Sequence, residues 1–471
     1  MKTEESSSTR RNKSGPDPRT DGHGVLGYSD WPAGRRFFNR TQRFVFEKTS
    51  RLTERFPRVG SGFLDWFFRS FAGNPLLSVV LAHRNRRVVR ELGSLRSFLV
   101  VPDIHIGDAV MSQSALTALR DFFPDARVDY LVNKTAFPLI DGHPEASQVL
   151  PFFSTGFFPS AAELSSLTGM IRDGRYDLVL SFCPYINRKD IWTNGTGLID
   201  IMSHAPEVVR NERRPAVINH FSFQTYDFTF DLLSLVAKPG RPKVFRGLHV
   251  RVGDAAVQEA RRFAEDAGLA AGNPVVMINP DAASPFTRIP ADVLSALLAR
   301  IVRLDATALV GEGHTDAGIG GRIISILPAS LRPKVVLVPA RLSLEVYTAL
   351  IDLCDIFVTG DTGPMHLAAA ARSSRSGRYE FRNRTAVLSI FGATPARMSG
   401  YDSFQPGYLP ACQSAPSWSY TAGSPCRNIT CVNKTFKTCR KIRCFDEVDV
   451  GALSGLIGKY LEKRPEAGPG Q

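Results

Sequence analysis

Nothing in this 471-residue sequence stays apolar for 18 positions, so no transmembrane helix is predicted. Its first residues, MKTEESSSTRRNKSGPDPRTDGHG, have no apolar core of the kind a secretory signal needs, and the expected location is the cytoplasm. On that expectation the Asn-x-Thr sequons carry no meaning as glycan acceptors. No repeat recurs at a solenoid period. No Asp-x-Asp pair is present to hold a divalent ion: Asp361 stands between Gly360 and Thr362, and Asp103 lies five residues before Asp108. Acidic residues are missing from 405–444, which carries six Lys or Arg. No recognised nucleic-acid motif accompanies the positive charge, and no nucleic-acid partner is expected. Five of the seven cysteines come late, at Cys412, Cys426, Cys431, Cys439 and Cys444. The last four, spaced C-x4-C-x7-C-x4-C, follow none of the familiar zinc patterns. A metal site, a structural knuckle and free thiols all stay open for them.

What is present describes a soluble globular chain, 43% hydrophobic with a mean hydropathy near zero. The net charge of +13 is uneven: residues 1–100 hold 19 Lys or Arg against 9 Asp or Glu. Basic ends suit an acidic partner or are simply a solvated surface. Residues 1–35 are polar and rich in Ser, Pro and Gly, and are expected to be disordered. Residues 36–95 interleave arginine with Phe and Trp, as in SGFLDWFFRSFAG. That pattern suits helices on an anionic membrane surface, or aromatics packed on the protein's own core.

From Ser97 strands and helices alternate. SFLVVP (97–102), ARVDYLV (126–132) and YDLVLSF (176–182) read as strands, with a helix over 109–123. A second series runs PVVMINP (274–280), helix 291–303, ATALVG (306–311), KVVLVP (334–339), helix 343–353, DIFVTG (355–360) and TAVLSIFG (385–392). Two βαβ series in succession predict two doubly wound domains facing a cleft.

Ligands of such sheets bind at the carboxyl ends of the strands, where helix starts favour anions. TGDTGPMHLAAAA (359–371) is such a place. Gly360 and Gly363 permit a tight turn and close approach, and Pro364 suits a first helical turn. Thr362 can cap the helix or bond a phosphate oxygen, and His366 falls in the first turn. The stretch reads as an anion site, most naturally for a diphosphate; the alternative is a capped helix with a core histidine. In the first series, VPDIHIGDAV places His105, Gly107 and Asp108 at the same kind of junction. Asp108 is either an N-cap or a general base. His105 is either a substrate contact or a solvated loop residue. Gly311 and Glu312, in GEGHTD, either line the nucleotide pocket or belong to an ordinary loop.

The IGD–helix–FPDARVDYLV run, INPDAASPFTRIPADVLSALL, DTGPMHLAAA and LSIFGATPARM, in that order over roughly 97–400, resemble the heptosyltransferase family of glycosyltransferases. The resemblance implies a GT-B fold, α/β with two Rossmann-like domains, and an inverting, metal-independent transfer. In that family the first domain mainly binds the acceptor and the second the nucleotide-sugar. Asp108 matches the family's proposed base, and Asp361, Thr362, Gly363 and His366 its donor-binding block. Ser284 falls in its phosphate-contacting loop. Where the family usually has Lys, a basic or polar residue, Trp and Pro, this sequence reads Thr287, Arg288, Ile289 and Pro290. The phosphate-binding Lys is missing, and Arg288 is the expected substitute, since guanidinium suits phosphate. A second departure inserts RSSRSGRYEFRN (372–383), polar, basic and expected beside the site. Family members often carry a Cys-rich stretch before a last helix, as in FDEVDVGALSGLIGKYL (445–461).

The expected organisation is an extension over 1–95, an acceptor domain over 96–247, a nucleotide-sugar domain over 248–400 and a Cys-rich segment with a last helix over 401–471. The expected partners are a nucleotide-sugar (an ADP-linked one among the options), an acidic glycolipid of the lipopolysaccharide type and an anionic membrane surface. Two alternatives remain: transfer of a different sugar for capsule or O-antigen, and a non-catalytic nucleotide-sugar binder.

Overall fold

A computed structural model gives the fold. It describes residues 95–102, 105–154, 161–182 apart from 175, 197–200, 229, 233, 239–242, 244, 246–269, 272–392, 396–401, 417–422 and 442–463. The extension over 1–94 and Cys412, Cys426, Cys431 and Cys439 lie outside the described residues. Cys354 and Cys444 are buried.

The first series is β1 (Ser97–Val101), α1 (Ile106–Met111), α2 (Gln113–Phe122), β2 (Arg127–Val132), α3 (Phe137–Ile140), β3 (Gln148–Pro151), α4 (Ala161–Asp173), β4 (Leu178–Ser181) and β5 (Gly197–Asp200). Its strands form a parallel sheet in the order β3-β2-β1-β4-β5. Phe98 and Val100 of β1 enter one core while Leu99 and Val101 enter another on the opposite face. Both faces of the strand are therefore covered, which is why it reads as a continuous apolar run. The helix expected over 109–123 starts earlier and is broken at Ser112, whose N–H still reaches the Asp108 carbonyl at 2.9 Å.

The second series runs β6 (His249–Val252), α5 (Asp254–Asp266), β7 (Val275–Asn279), α6 (Ala291–Arg303), β8 (Thr307–Gly311), α7 (Ile319–Ile326), β9 (Val335–Val338), α8 (Leu344–Leu353), β10 (Ile356–Thr359), α9 (Gly363–Ala369), β11 (Ala371–Ser374), β12 (Ala386–Phe391), α10 (Ala396–Ser399), β13 (Ser417–Thr421) and α11 (Val450–Glu462). Six strands make a parallel sheet in the order β13-β12-β10-β7-β8-β9. α6 follows Pro290, buries Leu294, Leu297, Leu298 and Ile301, and has Asp292 in its first turn with Arg300 and Arg303 in its last. Those charges complement the helix dipole at both ends.

Strand order locates the ligand-binding crevices. In the first sheet the chain steps outward from β1 to β3 and then returns to β4, so the switch lies between β1 and β4. In the second it steps from β7 to β9 and returns to β10, so the switch lies between β7 and β10. Such switch points open a crevice at the carboxyl ends of the strands. α1 follows β1, and the Gly360–Gly363 turn follows β10.

The 372–383 insertion, expected to be polar, basic and beside the site, is built into the second series. It opens with β11, which pairs in parallel with β6. Arg372 is buried, with Nε donating to Asp352 at 3.1 Å and a guanidinium nitrogen donating to the carbonyls of Leu367, Ala368 and Ala370. It thus caps α9 at its C-terminal end, opposite the Thr362 turn. Asp352 also accepts from the backbone N–H of Arg382 at 2.7 Å and of Asn383 at 2.9 Å. Arg375 donates to Glu345 at 2.9 Å and to the Pro138 carbonyl, which ties the insertion to α3.

Candidate active site

The two motifs singled out in the sequence meet. A methyl built on Gly107 would lie 2.6 Å from His366 Cδ2 and 3.0 Å from Nε2. One built on Gly363 would lie 3.1 Å from Ile106 Cβ. The starts of α1 and α9 therefore face each other across a seam with no room for a side chain at Gly107 and little at Gly363. Asp108, half-buried in the first turn of α1, stands one residue beyond that contact. His105 holds the N-cap position of α1 with extended backbone and makes no side-chain capping bond. Asp108 is therefore not the N-cap. Buried Tyr130 secures this turn from β2, its hydroxyl donating to the Ala109 carbonyl. Burial, and second the charge of Asp108, raise the Tyr130 phenol well above its usual range.

On the other side, Thr362 is the N-cap residue of α9 but does not cap it through its side chain. Its hydroxyl instead meets Thr359 Oγ1 at 3.0 Å and Asn279 Nδ2 at 3.3 Å. Asn279 also donates to Thr359 at 3.1 Å and to the Asp281 carbonyl at 3.1 Å, and accepts from the Tyr347 hydroxyl at 3.1 Å. One side-chain amide at the end of β7 thus binds together the two loops that flank the switch point. His366 is buried, and its Nδ1 lies 2.8 Å from the Tyr401 hydroxyl. Burial pushes the imidazole down to about 4, against an opposing pull from Asp361, so the ring is neutral at pH 7. Asp361 accepts from Ser399 Oγ at 3.1 Å.

The 284–288 loop abuts this turn, since a methyl on Gly360 would lie 2.8 Å from the Thr287 carbonyl oxygen. Ser284 is half-buried, and its Oγ accepts from the Phe286 N–H at 3.3 Å. Thr287 is buried, with its hydroxyl donating to the Ser284 carbonyl at 3.2 Å. Arg288 is already compensated: it pairs with Asp316 at 3.1 Å and Asp281 at 3.4 Å, and donates to the Ala282 carbonyl at 2.9 Å. A phosphate reaching it competes with those carboxylates. Gly311 lies under the Asn279 network, where a methyl would stand 3.0 Å from the Tyr347 hydroxyl. Glu312 is a helix cap. Its carboxylate accepts from the N–H groups of Gly320 at 3.2 Å and Gly321 at 3.3 Å, in the first turn of α7.

Residues 247–377 match the sequence profile described as glycosyltransferase family 9 (heptosyltransferase). Lipopolysaccharide heptosyltransferase 2 of Salmonella typhimurium is 22% identical over 284 residues, which cover 58% of this chain and 79% of that protein. Lipopolysaccharide heptosyltransferase 3 of Escherichia coli is 23% identical over 302 residues, covering 61% and 81%. The chain is thus similar to family 9 glycosyltransferases, with the profile match confined to its second series. A crystal structure of a family 9 glycosyltransferase from Veillonella parvula shares its fold, with a TM-score of 0.56 at 16% identity over 78% of this chain and 98% of that one. The profile match contains Ser284, Thr287, Arg288, Gly311, Glu312 and the 361–366 block, but stops short of Tyr401. Asn279, Tyr347, Ser399 and Tyr401 escaped the sequence reading. Of these only Asn279 carried a signal, as a polar residue ending an apolar strand at its carboxyl end.

Proposed function

We propose that this chain is a family 9 glycosyltransferase that moves a heptose-like sugar from a nucleotide-sugar, an ADP-linked one being the first to try, onto a lipopolysaccharide-type glycolipid. Inversion at the anomeric carbon and independence of divalent metal are parts of the same proposal. The observation that carries it is the seam between α1 and α9, which sets Asp108 beside the donor-type block Asp361–His366. Both curated relatives compared above are named as lipopolysaccharide heptosyltransferases, which supports the choice of sugar and acceptor.

In this reading residues 96–247 carry the acceptor and residues 248–400 the donor, in a GT-B arrangement. The Asp108 carboxylate takes the proton of an acceptor hydroxyl as that oxygen forms its bond to the anomeric carbon. The bond from that carbon to the diphosphate breaks on the opposite face, and the electron pair leaves with the nucleoside diphosphate. Ser284 and the Gly360–Gly363 turn receive the diphosphate, and Arg288 joins them by exchanging one of its carboxylate partners. The basic, aromatic stretch at 36–95 holds the enzyme on the inner face of the membrane near its acceptor. Among the described residues no helix is long and apolar enough to cross a membrane.

The test is transfer by the purified full chain, over a panel of nucleotide-sugars, to deacylated lipopolysaccharide core, with product stereochemistry read by NMR. Asp108→Asn keeps the shape and removes the base, so turnover should fall about 10²–10⁴-fold with donor binding intact. Turnover should also persist in excess EDTA. Near wild-type turnover of Asp108→Asn would sink the assigned base. Preference for a non-heptose donor would move the reading to another sugar.

A further inference from the structure

The segment following β12 lies beyond the family 9 profile match, yet it reaches back into the site with two side chains. Ser399, ending α10, donates to Asp361, and Tyr401 meets His366. Tyr401 is fully buried, and its ring stands edge-on to the imidazole at 5.7 Å between centroids. Its place is fixed from both sides. Ser419 of β13 donates to the Tyr401 carbonyl at 3.1 Å. Gly400 leaves no room for a side chain, since a methyl there would lie 2.7 Å from the Ala396 carbonyl oxygen and 2.8 Å from Phe391 Cε2.

A neutral imidazole carries one proton on either of two nitrogens, and its partner decides which. A phenol is a stronger acid than a neutral imidazole N–H, and an imidazole nitrogen is a better acceptor than a phenol oxygen. The favoured bond is therefore Tyr401 O–H donating to His366 Nδ1. That leaves the proton of the ring on Nε2, on the edge that lies against Gly107. We propose that Tyr401 is a positioning residue that locks His366 as its Nε2–H tautomer, presenting one hydrogen-bond donor at the seam beside Asp108. In the other tautomer the same edge would offer a lone pair to the acidic groups of a diphosphate and of Asp108, which repels where the Nε2–H attracts. The inference rests on the glycosyl-transfer reading for its effect on rate, but not for the tautomer itself.

The full chain labelled with ¹⁵N-histidine, observed through long-range proton–nitrogen correlations at pH 7, reports the protonated nitrogen directly. The His366 signal is assigned by its loss in His366→Gln. The expected result is a proton on Nε2 in the wild type and a mixture of tautomers in Tyr401→Phe, which removes only the hydroxyl. In the transfer assay Tyr401→Phe should lose on the order of tenfold in kcat. Donor KM should stay within about twofold. A wild-type ring protonated on Nδ1 overturns the proposal without any need for the variant to fold. So does a Tyr401→Phe protein with an unchanged tautomer, or a loss confined to KM. If no donor is transferred at all, the glycosyl-transfer reading fails while the nitrogen spectrum still decides the tautomer.

Discussion

Gly107 has no room for a methyl group. The ring it would strike cannot retreat, because His366 is buried and its Nδ1 is tied to Tyr401. Gly107→Ala therefore has to push α1 away from α9, an overpacking that costs about 1–3 kcal/mol. Its effect on transfer should exceed its effect on stability, on the order of 10²-fold, because a shift of about 1 Å misplaces Asp108. Paired measurements of thermal midpoint and turnover check this, and a variant matching wild type in both would refute the contact. The residues that make this seam were legible in the sequence, since glycines and an Asp at strand-to-helix junctions signal a close approach. Tyr401 was not legible. Its importance comes from a partner 35 residues away in the chain, and nothing about a Tyr after a Gly announces a hydrogen bond to a histidine.

At the level of elements, Glu312 has a structural duty its motif did not announce. Its carboxylate serves the amides of Gly320 and Gly321 that begin α7. α7 needs that help, because its N-cap is Gly318, held in a left-handed conformation at φ 82° and without a side chain to cap with. Glu312→Ala should cost about 1 kcal/mol through the lost cap. A chemical-denaturation midpoint measures it, and an unchanged midpoint would mean the amides find other partners. Among the elements, α6 was readable over its full length because its leucines recur at helical spacing and Pro290 marks its start. α5 was not read, since it buries only Ala256, Val257 and Ala260, a face too small in volume to stand out against its charges. β11 was hidden for a different reason. Arg372 looks like a surface residue until Asp352 and the end of α9 surround it.

Over the whole molecule, two buried histidines couple stability to pH. Burial lowers His366 to about 4 and His143 to about 3, the latter helped by His249 and Arg251, from an ordinary 6.5. An unfolded chain binds protons to both rings more readily than the folded one does. Their contribution is therefore complete above about pH 6.5 and is lost as pH falls through the window down to the folded values. The loss at the acid end is on the order of 3 kcal/mol per ring. Thermal midpoints should hold near neutrality and drop steadily below about pH 6, less steeply in His143→Gln. A profile that stays level down to about pH 4 would contradict two neutral, buried rings.

The knot around Asp352 also bears on how the chain meets proteases. The insertion offers arginines at positions 372, 375, 378 and 382, a stretch that looks like ready prey for a trypsin-like enzyme. In the fold, Arg372 has no exposed side chain and its backbone N–H is held by Asn383. Scission after Arg372 has to wait for β11 to peel away from β6, whereas Arg378 stands exposed on the same stretch. Two neighbouring bonds of equal chemistry thus differ in vulnerability by the free energy of a local opening, and nicking after Arg372 becomes a clock for that opening.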